Sequence, residues 1–393
     1  MGEIILPGAK IGIIGGGQLG KMLASAAQAL GYQVVIWSEE EDSPACQVTA
    51  HRVIGKFTDP DKLQEFVQQV DVATVETEHI PLPTLESFSK EKPLYPTAEI
   101  VAIAQNRMKE KNWLSEKGFP VVPFKIIRSL NDLEAFIIEI KDEIVVKTIT
   151  GGYDGKGQIR LRHPVSSTEE LQQITEWLAD GTVVIAEKWV SLKAELSVIA
   201  ARNHQKEFMA FPVGENQHRN HILHQTIVPA RLALQLQKKA IDLTEMLMTE
   251  LDYKGLLCVE FFCDEQDRIY INELAPRPHN SGHYTIEATI TSQFEQTIRA
   301  ICNLPLGATT LLSPCVMTNL LGDLWKRGFK ATEILQVPTT KLHLYGKADA
   351  REKRKMGHFT TLAATVDQAI SDAEGIYKVI QENQKENQWS SIH

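Results

Sequence analysis

Apolar and polar positions follow two rhythms along the first hundred residues. KIGIIG (10–15) is a short β-rich apolar run, KMLASAAQALG (21–31) repeats its apolar positions at helical spacing up to Gly31, and YQVVIW (32–37) returns to a strand pattern. HRVIG then predicts a third strand, the stretch from Asp59 to Gln69 a helix capped by Thr58, and DVATVETE a fourth strand. Strand, helix and strand in succession make a βαβ unit, which predicts an α/β first domain with a parallel, doubly wound sheet over residues 1–103.

After PTAEIVAIAQNRMKEKNWLSEKGFP the texture changes. Residues 121–275 read as short strands, among them EIVVKT, GQIRL, TVVIAEKWV, AELSVIAARN and EFMAFPV, with few helices between them. The periodic stretch from Ala230 to Leu251 is the main exception. The pattern predicts an α+β domain with antiparallel sheets. From about residue 315 a third segment follows, KLHLYGKADAREKRKMGHFTTLAAT and a terminal helix, and neither a repeat nor a low-complexity tract interrupts the chain.

Composition narrows the class. At 393 residues the chain exceeds one ordinary core, so two or three domains are expected. A formal net charge of -9 argues against a general binder of nucleic-acid backbone, which needs a basic footprint, but not against a small anionic substrate. The five cysteines (Cys46, Cys258, Cys263, Cys302, Cys315) have neither C-x-x-C nor zinc spacing and read as isolated reduced thiols. With no apolar stretch near the roughly 20 residues of a membrane span and no signal-peptide layout, the expectation is a cytoplasmic protein with no membrane partner.

Four groups of residues carry candidate chemistry. IGIIGGGQLGKM holds Gly15, Gly17 and Gly20 in G-x-G-x-x-G spacing after a strand, and Glu39 lies where a dinucleotide ribose would need an acid. TGGYDGKGQ (150–158) puts four glycines in nine residues between two strands, with Lys147 before the loop and Lys156 in it. Such a hairpin brings backbone N–H groups to an anion, or is simply an unliganded loop. LLCVEFFCDEQDRIYINELAPRPHN parses as a hairpin with a two-residue turn at Glu265 and Gln266. Cys263 then opposes Arg268, Glu260 opposes Ile271, and Glu273 is a diagonal neighbour of Glu260 on one face, roughly 7–8 Å away, close enough to share a hard cation. Finally, Lys347, Arg351, Lys353, Arg354 and Lys355 put five cations within nine residues, either a solvated face or a corner for a phosphomonoester. A glycine loop with a strand lysine, paired carboxylates and a separate cationic site are parts for phosphoryl transfer to a small phosphorylated substrate.

These segments, in order, also resemble a known family. GGGQLGKM, DVATVETEHIP, QNRMKEK, KTITGGYDGKGQ, EKWVSLKAELSVIAARN, NELAPRPHNSGHYTIEA and YGKADAREKRKMGH together are similar to the 5-(carboxyamino)imidazole ribonucleotide synthases, ATP-grasp ligases of purine biosynthesis. The resemblance implies an N-terminal Rossmann-like domain (1–103), an ATP-grasp domain (104–300) and a small β-rich C-terminal domain (301–393) completing the substrate phosphate site. It implies ATP contacts at Arg107, Lys147, Gly152, Tyr153, Asp154, Gly155, Lys156, Gly157, Gln158, Glu187, Lys188, Trp189, Val190, Glu195 and His218, with Asn272 and Glu273. Mg²⁺ falls on Glu260 and Glu273 with Asn272 alongside, although strict alternation points Asn272 away unless a bulge intervenes. Arg277, His279 and Asn280 are implied around bicarbonate or carboxyphosphate, and Tyr153 and Asp154 around the substrate amine. Gly17, Gln18, Leu19, Glu76 and Glu78 would meet the aminoimidazole ribonucleotide, and Lys347, Arg351, Arg354 and Lys355 its 5′-phosphate.

The family implies ATP, Mg²⁺ and bicarbonate as co-substrate, with neither NAD nor biotin, and a homodimer. One motif departs: the family pattern is Arg-Pro-Gly-Arg-Lys-Met-Gly-His, and this chain reads Arg351-Glu352-Lys353-Arg354-Lys355-Met356-Gly357-His358. Lys353 therefore has no assigned role. Three rivals stand beside this reading. A formate-dependent transformylase of the same superfamily would use formylphosphate, an NAD-dependent oxidoreductase would use the glycine fingerprint, and a nucleotide sensor would bind without turnover.

Overall fold

The computed structural model of the chain describes residues 3–151, 157–162, 168–326 and 328–389. Four strands, β1 (Lys10–Ile14), β2 (Gln33–Ser38), β3 (Arg52–Ile54) and β4 (Val72–Val75), form the expected parallel sheet in the order β3-β2-β1-β4. Helix α1 (Gln18–Ala29) crosses from β1 to β2. Ile11, Ile13 and Ile14 of β1 are fully buried because helices cover both faces of the sheet. On one face α1 packs with Phe294, Ile298 and Ile301 of the helix Gln293–Ile301; on the other lie Phe66 and Phe88. The helix after β3 is Pro60–Val67, and Asp59, not Thr58, caps it. The Asp59 carboxylate accepts from the N–H groups of Asp61 (2.9 Å) and Lys62 (3.4 Å), and Pro60 sits where no N–H is needed.

A second sheet, antiparallel, has the order β5-β8-β6-β7, from β5 (Phe124–Ile127), β6 (Ile144–Thr148), β7 (Gln158–Leu161) and β8 (Val184–Lys188). Lys147 pairs with Gln158 across the β6–β7 hairpin, so the glycine loop does join two strands. Two helices that the strand-rich reading passed over, Leu130–Ile140 and Thr168–Ala179, back this sheet. The first carries a capping box in which Ser129 and Asp132 satisfy each other's backbone. Its β-branched run, Ile137, Ile138 and Ile140, leads straight into β6 and hides the helix in the sequence. The long helix expected from Ala230 begins later, at Leu234, and ends at Glu250.

The third sheet, entirely antiparallel, gathers β9 (Leu192–Arg202), β10 (Phe208–Ala210), β11 (Gly214–Arg219), β12 (Ile222–Val228), β13 (Gly255–Asp264), β14 (Ile269–Ala275), β15 (Cys315–Leu321), β16 (Thr340–Leu344) and β17 (Lys355–Leu362). Their order is β14-β13-β9-β11-β12-β15-β17-β16, with β10 beside β9. The C-terminal strands thus extend the central sheet. Lys347, Arg351, Lys353 and Arg354 lie in the connection between β16 and β17, and Lys355 opens β17. That connection docks on the first domain, where Lys21 Nζ donates to the carbonyl of Tyr345 (3.1 Å) and Gln47 Nε2 to that of Gly346 (2.7 Å). All five cysteines are buried and unpaired. Among the described residues no helix is long and apolar enough to cross a membrane.

Candidate active site

A cavity of about 510 Å³ opens between the second and third sheets. The second sheet contributes Val145, Lys147, Gln158 and the stretch Glu187, Lys188, Trp189 and Val190; the third contributes Glu195, His218, Glu260, Phe262, Asn272 and Glu273. Arg107, Glu78, Arg277, His279, Asn280 and Lys355 close its ends. Val145, Trp189, Val190, Leu192 and Phe262 make one part apolar, suited to a flat ring, while the remainder is charged. The loop residues Gly152, Tyr153, Asp154, Gly155 and Lys156 lie outside the described residues.

The paired carboxylates sit two positions away from the sequence expectation: the turn is one residue longer, so that Cys263 opposes Ile269 and not Arg268, and a bulge adds the second. Glu260 lies directly opposite Glu273, Phe261 opposite Ile271, and the pairing shifts between Glu260 and Phe261, leaving Asn272 as the extra residue of a bulge. The bulge turns Asn272 toward the same cavity as both glutamates, which strict alternation forbids. Burial first, and then repulsion from Glu273, raises the pKa of Glu260 well above the carboxylate range. A divalent cation would relieve that repulsion, so the donor set fits one. Among the described residues no cluster of three or more His, Cys, Asp or Glu could cage a metal alone. Two carboxylates that need further oxygens from water and phosphate suit Mg²⁺.

The other charges are held in pairs. Lys147 Nζ donates to Glu187 Oε2 at 2.6 Å, and Lys111 Nζ lies 3.6 Å from Glu187 Oε1. Burial alone would raise the Glu187 pKa, but these two lysines outweigh it and hold the pKa at about 2. Glu78 accepts a forked pair of bonds from Arg277, and although burial opposes it, that contact holds the Glu78 carboxyl at about 2. His218 Nδ1 is 3.1 Å from Glu195 Oε2. Burial works against its protonation, yet Glu195 and Glu260 raise its pKa. His279 Nδ1 accepts from the Ser281 N–H (3.3 Å), which leaves the proton on Nε2, 3.3 Å from Glu260 Oε1. Burial and the nearby Arg277 keep that imidazole neutral. The amides of Asn280 and Asn319 bond each other reciprocally, at 2.9 and 2.8 Å.

The glycine turn has a different occupant from the one its fingerprint suggests. Gly17 N–H donates to Glu76 Oε1 (2.6 Å) and Gly20 N–H to Glu76 Oε2 (2.9 Å). A Cβ on Gly15, whose φ is +118°, would lie 2.2 Å from the Glu76 side chain. The donors that hold a pyrophosphate in dinucleotide enzymes are therefore taken up by an internal carboxylate. Glu39 accepts from the Phe57 N–H instead of facing the turn. Of the ribonucleotide candidates, Gly17, Gln18, Leu19 and Glu76 lie at this turn, beside the main cavity and not in its lining.

The cation run divides. Lys355 lines the cavity. Lys347 Nζ donates to the Lys355 carbonyl (2.9 Å), and burial, with Arg354 close by, lowers its pKa to about 8 against the pull of Glu76. Arg354 donates to the Asp349 carbonyl (2.9 Å). Arg351 pairs with Asp349 and its side chain is 75% exposed; like Lys347 and Arg354, it is not part of the cavity lining. Lys353 occupies the glycine position of the family pattern with φ +64° and lines a second cavity with Arg219, His224 and Tyr377. Glu110, Lys111, Thr77 and His221 line the main cavity without having been anticipated. The spacing Arg107, Glu110, Lys111, Leu114 marks one helical face and was the available signal.

Two antiparallel sheets clasping a cavity, with a lysine on one and paired glutamates on the other, define an ATP-grasp ligase. The ATP-grasp domain model matches residues 112–294, the ribonucleotide synthetase preATP-grasp domain residues 8–105, and the phosphoribosylaminoimidazole carboxylase C-terminal domain residues 315–372. The chain is 43% identical over 370 residues to the N5-carboxyaminoimidazole ribonucleotide synthase of Bacillus subtilis, covering 94% of this chain and 96% of that one. Its structure is similar to an ADP complex of N5-carboxyaminoimidazole ribonucleotide synthetase (TM-score 0.89, 42% identity, 98% and 100% of the two chains). It is also similar to the synthase of Aspergillus clavatus in complex with ADP and 5-aminoimidazole ribonucleotide (TM-score 0.86, 31% identity, 96% and 100%). The chain belongs to the N5-carboxyaminoimidazole ribonucleotide synthase family.

Proposed function

We infer that the chain joins bicarbonate to the exocyclic amine of 5-aminoimidazole ribonucleotide at the expense of ATP, giving N5-carboxyaminoimidazole ribonucleotide, ADP and phosphate in purine biosynthesis. The observation that carries this reading is one cavity lined by Lys147, by the directly opposed Glu260 and Glu273, and by Lys355 of the C-terminal cation run. The formate-using rival loses ground to the match of residues 315–372 with the carboxylase C-terminal domain, and the NAD reading to the Glu76 carboxylate in the glycine turn.

In the mechanism this supports, the apolar patch around Trp189, Val190 and Phe262 takes the adenine. Lys147, held in place by Glu187, meets the phosphates and offsets the charge that builds on the transferring phosphoryl group. Glu260, Glu273 and Asn272 would hold Mg²⁺, which supplies charge neutralisation at the phosphate oxygens. Bicarbonate is a poor electrophile; attack of its oxygen on the γ-phosphorus gives carboxyphosphate, with ADP leaving. Arg277, anchored by Glu78, faces this anion. His279 keeps its Nε2 proton directed at Glu260 and orients that carboxylate. The substrate amine then takes the carboxyl group, phosphate leaves, and the amine proton passes to solvent or phosphate. Lys347, Arg354 and Lys355 grip the 5′-phosphate; Arg351 joins them only if the connection between β16 and β17 folds inward. Tyr153 and Asp154 are proposed to orient the amine. The family also suggests a homodimer, which light scattering of the purified chain tests.

The assay is ADP release from Mg·ATP with each co-substrate omitted in turn. Dependence on both aminoimidazole ribonucleotide and bicarbonate supports the reading. Release that ignores both, and appears with glycinamide ribonucleotide and formate, overturns it.

A further inference from the structure

Adjacent residues of the helix Arg107–Glu116 grip the metal-site bulge from either side. β14 is the edge strand of its sheet, so the outward backbone groups of its bulge have no strand to pair with. Glu110 Oε1 accepts from the Leu274 N–H at 2.7 Å, and Lys111 Nζ donates to the Ile271 carbonyl at 3.2 Å. These two backbone groups flank Asn272 and Glu273, the residues that the bulge turns into the cavity. Both side chains are almost wholly buried, Glu110 3% and Lys111 1% exposed. The same Lys111 ammonium lies 3.6 Å from Glu187, whose other oxygen accepts from Lys147 at 2.6 Å. One buried cation thus touches the strand bearing the metal carboxylates on one side and the partner of the phosphate lysine on the other.

We propose that Glu110 and Lys111 are positioning residues, a clamp that sets the bulge so that Asn272 and Glu273 share the cation with Glu260, and that keeps Lys147 in register with it. Neither residue is assigned to ATP, metal or substrate by the sequence motifs. A buried lysine costs several kilocalories of desolvation unless it is paired, and a helix face of charged residues is an expensive way to cover an edge strand. The geometry gives the expense a purpose, because rotating the bulge by one residue would carry Glu273 away from Glu260. The inference rests on the paired-carboxylate metal site described above.

The test is Mn²⁺ binding in the presence of ADP, read from the loss of the free-Mn²⁺ EPR signal, on the wild type and on Glu110→Ala, Glu110→Gln, Lys111→Met and Glu273→Gln. Outer partners of metal ligands typically change affinity 10–100-fold. Glu110→Ala and Lys111→Met are expected to weaken Mn²⁺ binding at least about tenfold and raise the KM for Mg·ATP, with the KM for aminoimidazole ribonucleotide within about twofold. Glu110→Gln keeps an oxygen for the Leu274 N–H and is expected to stay near wild type. If Lys111→Met does not fold, the two Glu110 variants decide the matter. Folded Glu110→Ala with wild-type Mn²⁺ affinity, or Glu110→Gln as impaired as Glu110→Ala, overturns the clamp. Equal binding by the wild type and Glu273→Gln would instead sink the underlying metal site.

Discussion

Replacing Glu78 by Gln keeps the shape of the side chain and removes its charge, which tests the Glu78–Arg277 pair quantitatively. Burial opposes the charge on Glu78, but the Arg277 guanidinium outweighs it and holds the pKa at about 2, against 4.5 for an ordinary glutamate. At about 1.36 kcal/mol per unit, the ionised form is favoured by about 3 kcal/mol over a neutral one. The side chain is 18% exposed, so solvent screening removes little of this. The figure lies at the lower end of the cost of breaking a buried ion pair, about 3–5 kcal/mol. A carboxyl depressed in the fold contributes fully above its unfolded pKa and loses its contribution as pH falls toward the folded value. Linkage between 4.5 and 2 makes the loss about 1.4 kcal/mol by pH 3.5. Urea denaturation of both proteins, followed by tryptophan fluorescence through the first cooperative transition, therefore has a defined outcome. The gap between wild type and Glu78→Gln is about 3 kcal/mol at pH 7 and narrows by roughly half at pH 3.5. A gap of the same size at both pH values, or none at pH 7, refutes the assignment of the Glu78 depression to Arg277.

Three shorter predictions accompany it. Glu273→Gln abolishes Mg²⁺-dependent turnover while its circular dichroism stays that of the wild type; normal turnover at ordinary Mg²⁺ removes the paired-carboxylate argument. Lys347, with a pKa of about 8, loses its proton as pH rises through that value, so kcat/KM for aminoimidazole ribonucleotide falls on the alkaline side while the KM for ATP holds. An alkaline limb equally large in a Lys347→Ala variant would assign it elsewhere. Lys353→Gly relieves a left-handed backbone at φ +64° and raises stability by up to about 1 kcal/mol with activity unchanged; a lower melting temperature contradicts this.

The sequence carried the strands, the glycine turn and the acidic face of the β13–β14 hairpin, because period and turn chemistry are local. It made a role for Asn272 conditional on a bulge, but a two-residue turn and strict pairing placed Glu260 opposite Ile271. The longer turn and the bulge, neither of which marks the alternation, each shift the pairing by one residue and bring Glu273 opposite instead. The fingerprint at Gly15, Gly17 and Gly20 described the backbone correctly. Only the fold reveals that Glu76, more than fifty residues away, takes the donors. The sequence assigns no role to Glu110 and Lys111: their spacing with Arg107 marks a shared helical face, but it does not say that the face is buried. Arg351 is exposed and paired with Asp349, which the sequence could not show, since a charge run does not say which members of a loop face inward.

Oxygen transfer tests the central claim, that ATP activates bicarbonate in this cavity, most directly. With freshly dissolved ¹⁸O-bicarbonate, Mg·ATP and aminoimidazole ribonucleotide, carboxyphosphate formation leaves one bicarbonate oxygen on the phosphate released. The account predicts one ¹⁸O in each phosphate formed, lost together with turnover in Glu273→Gln. Phosphate carrying no label while the ribonucleotide is carboxylated would contradict it.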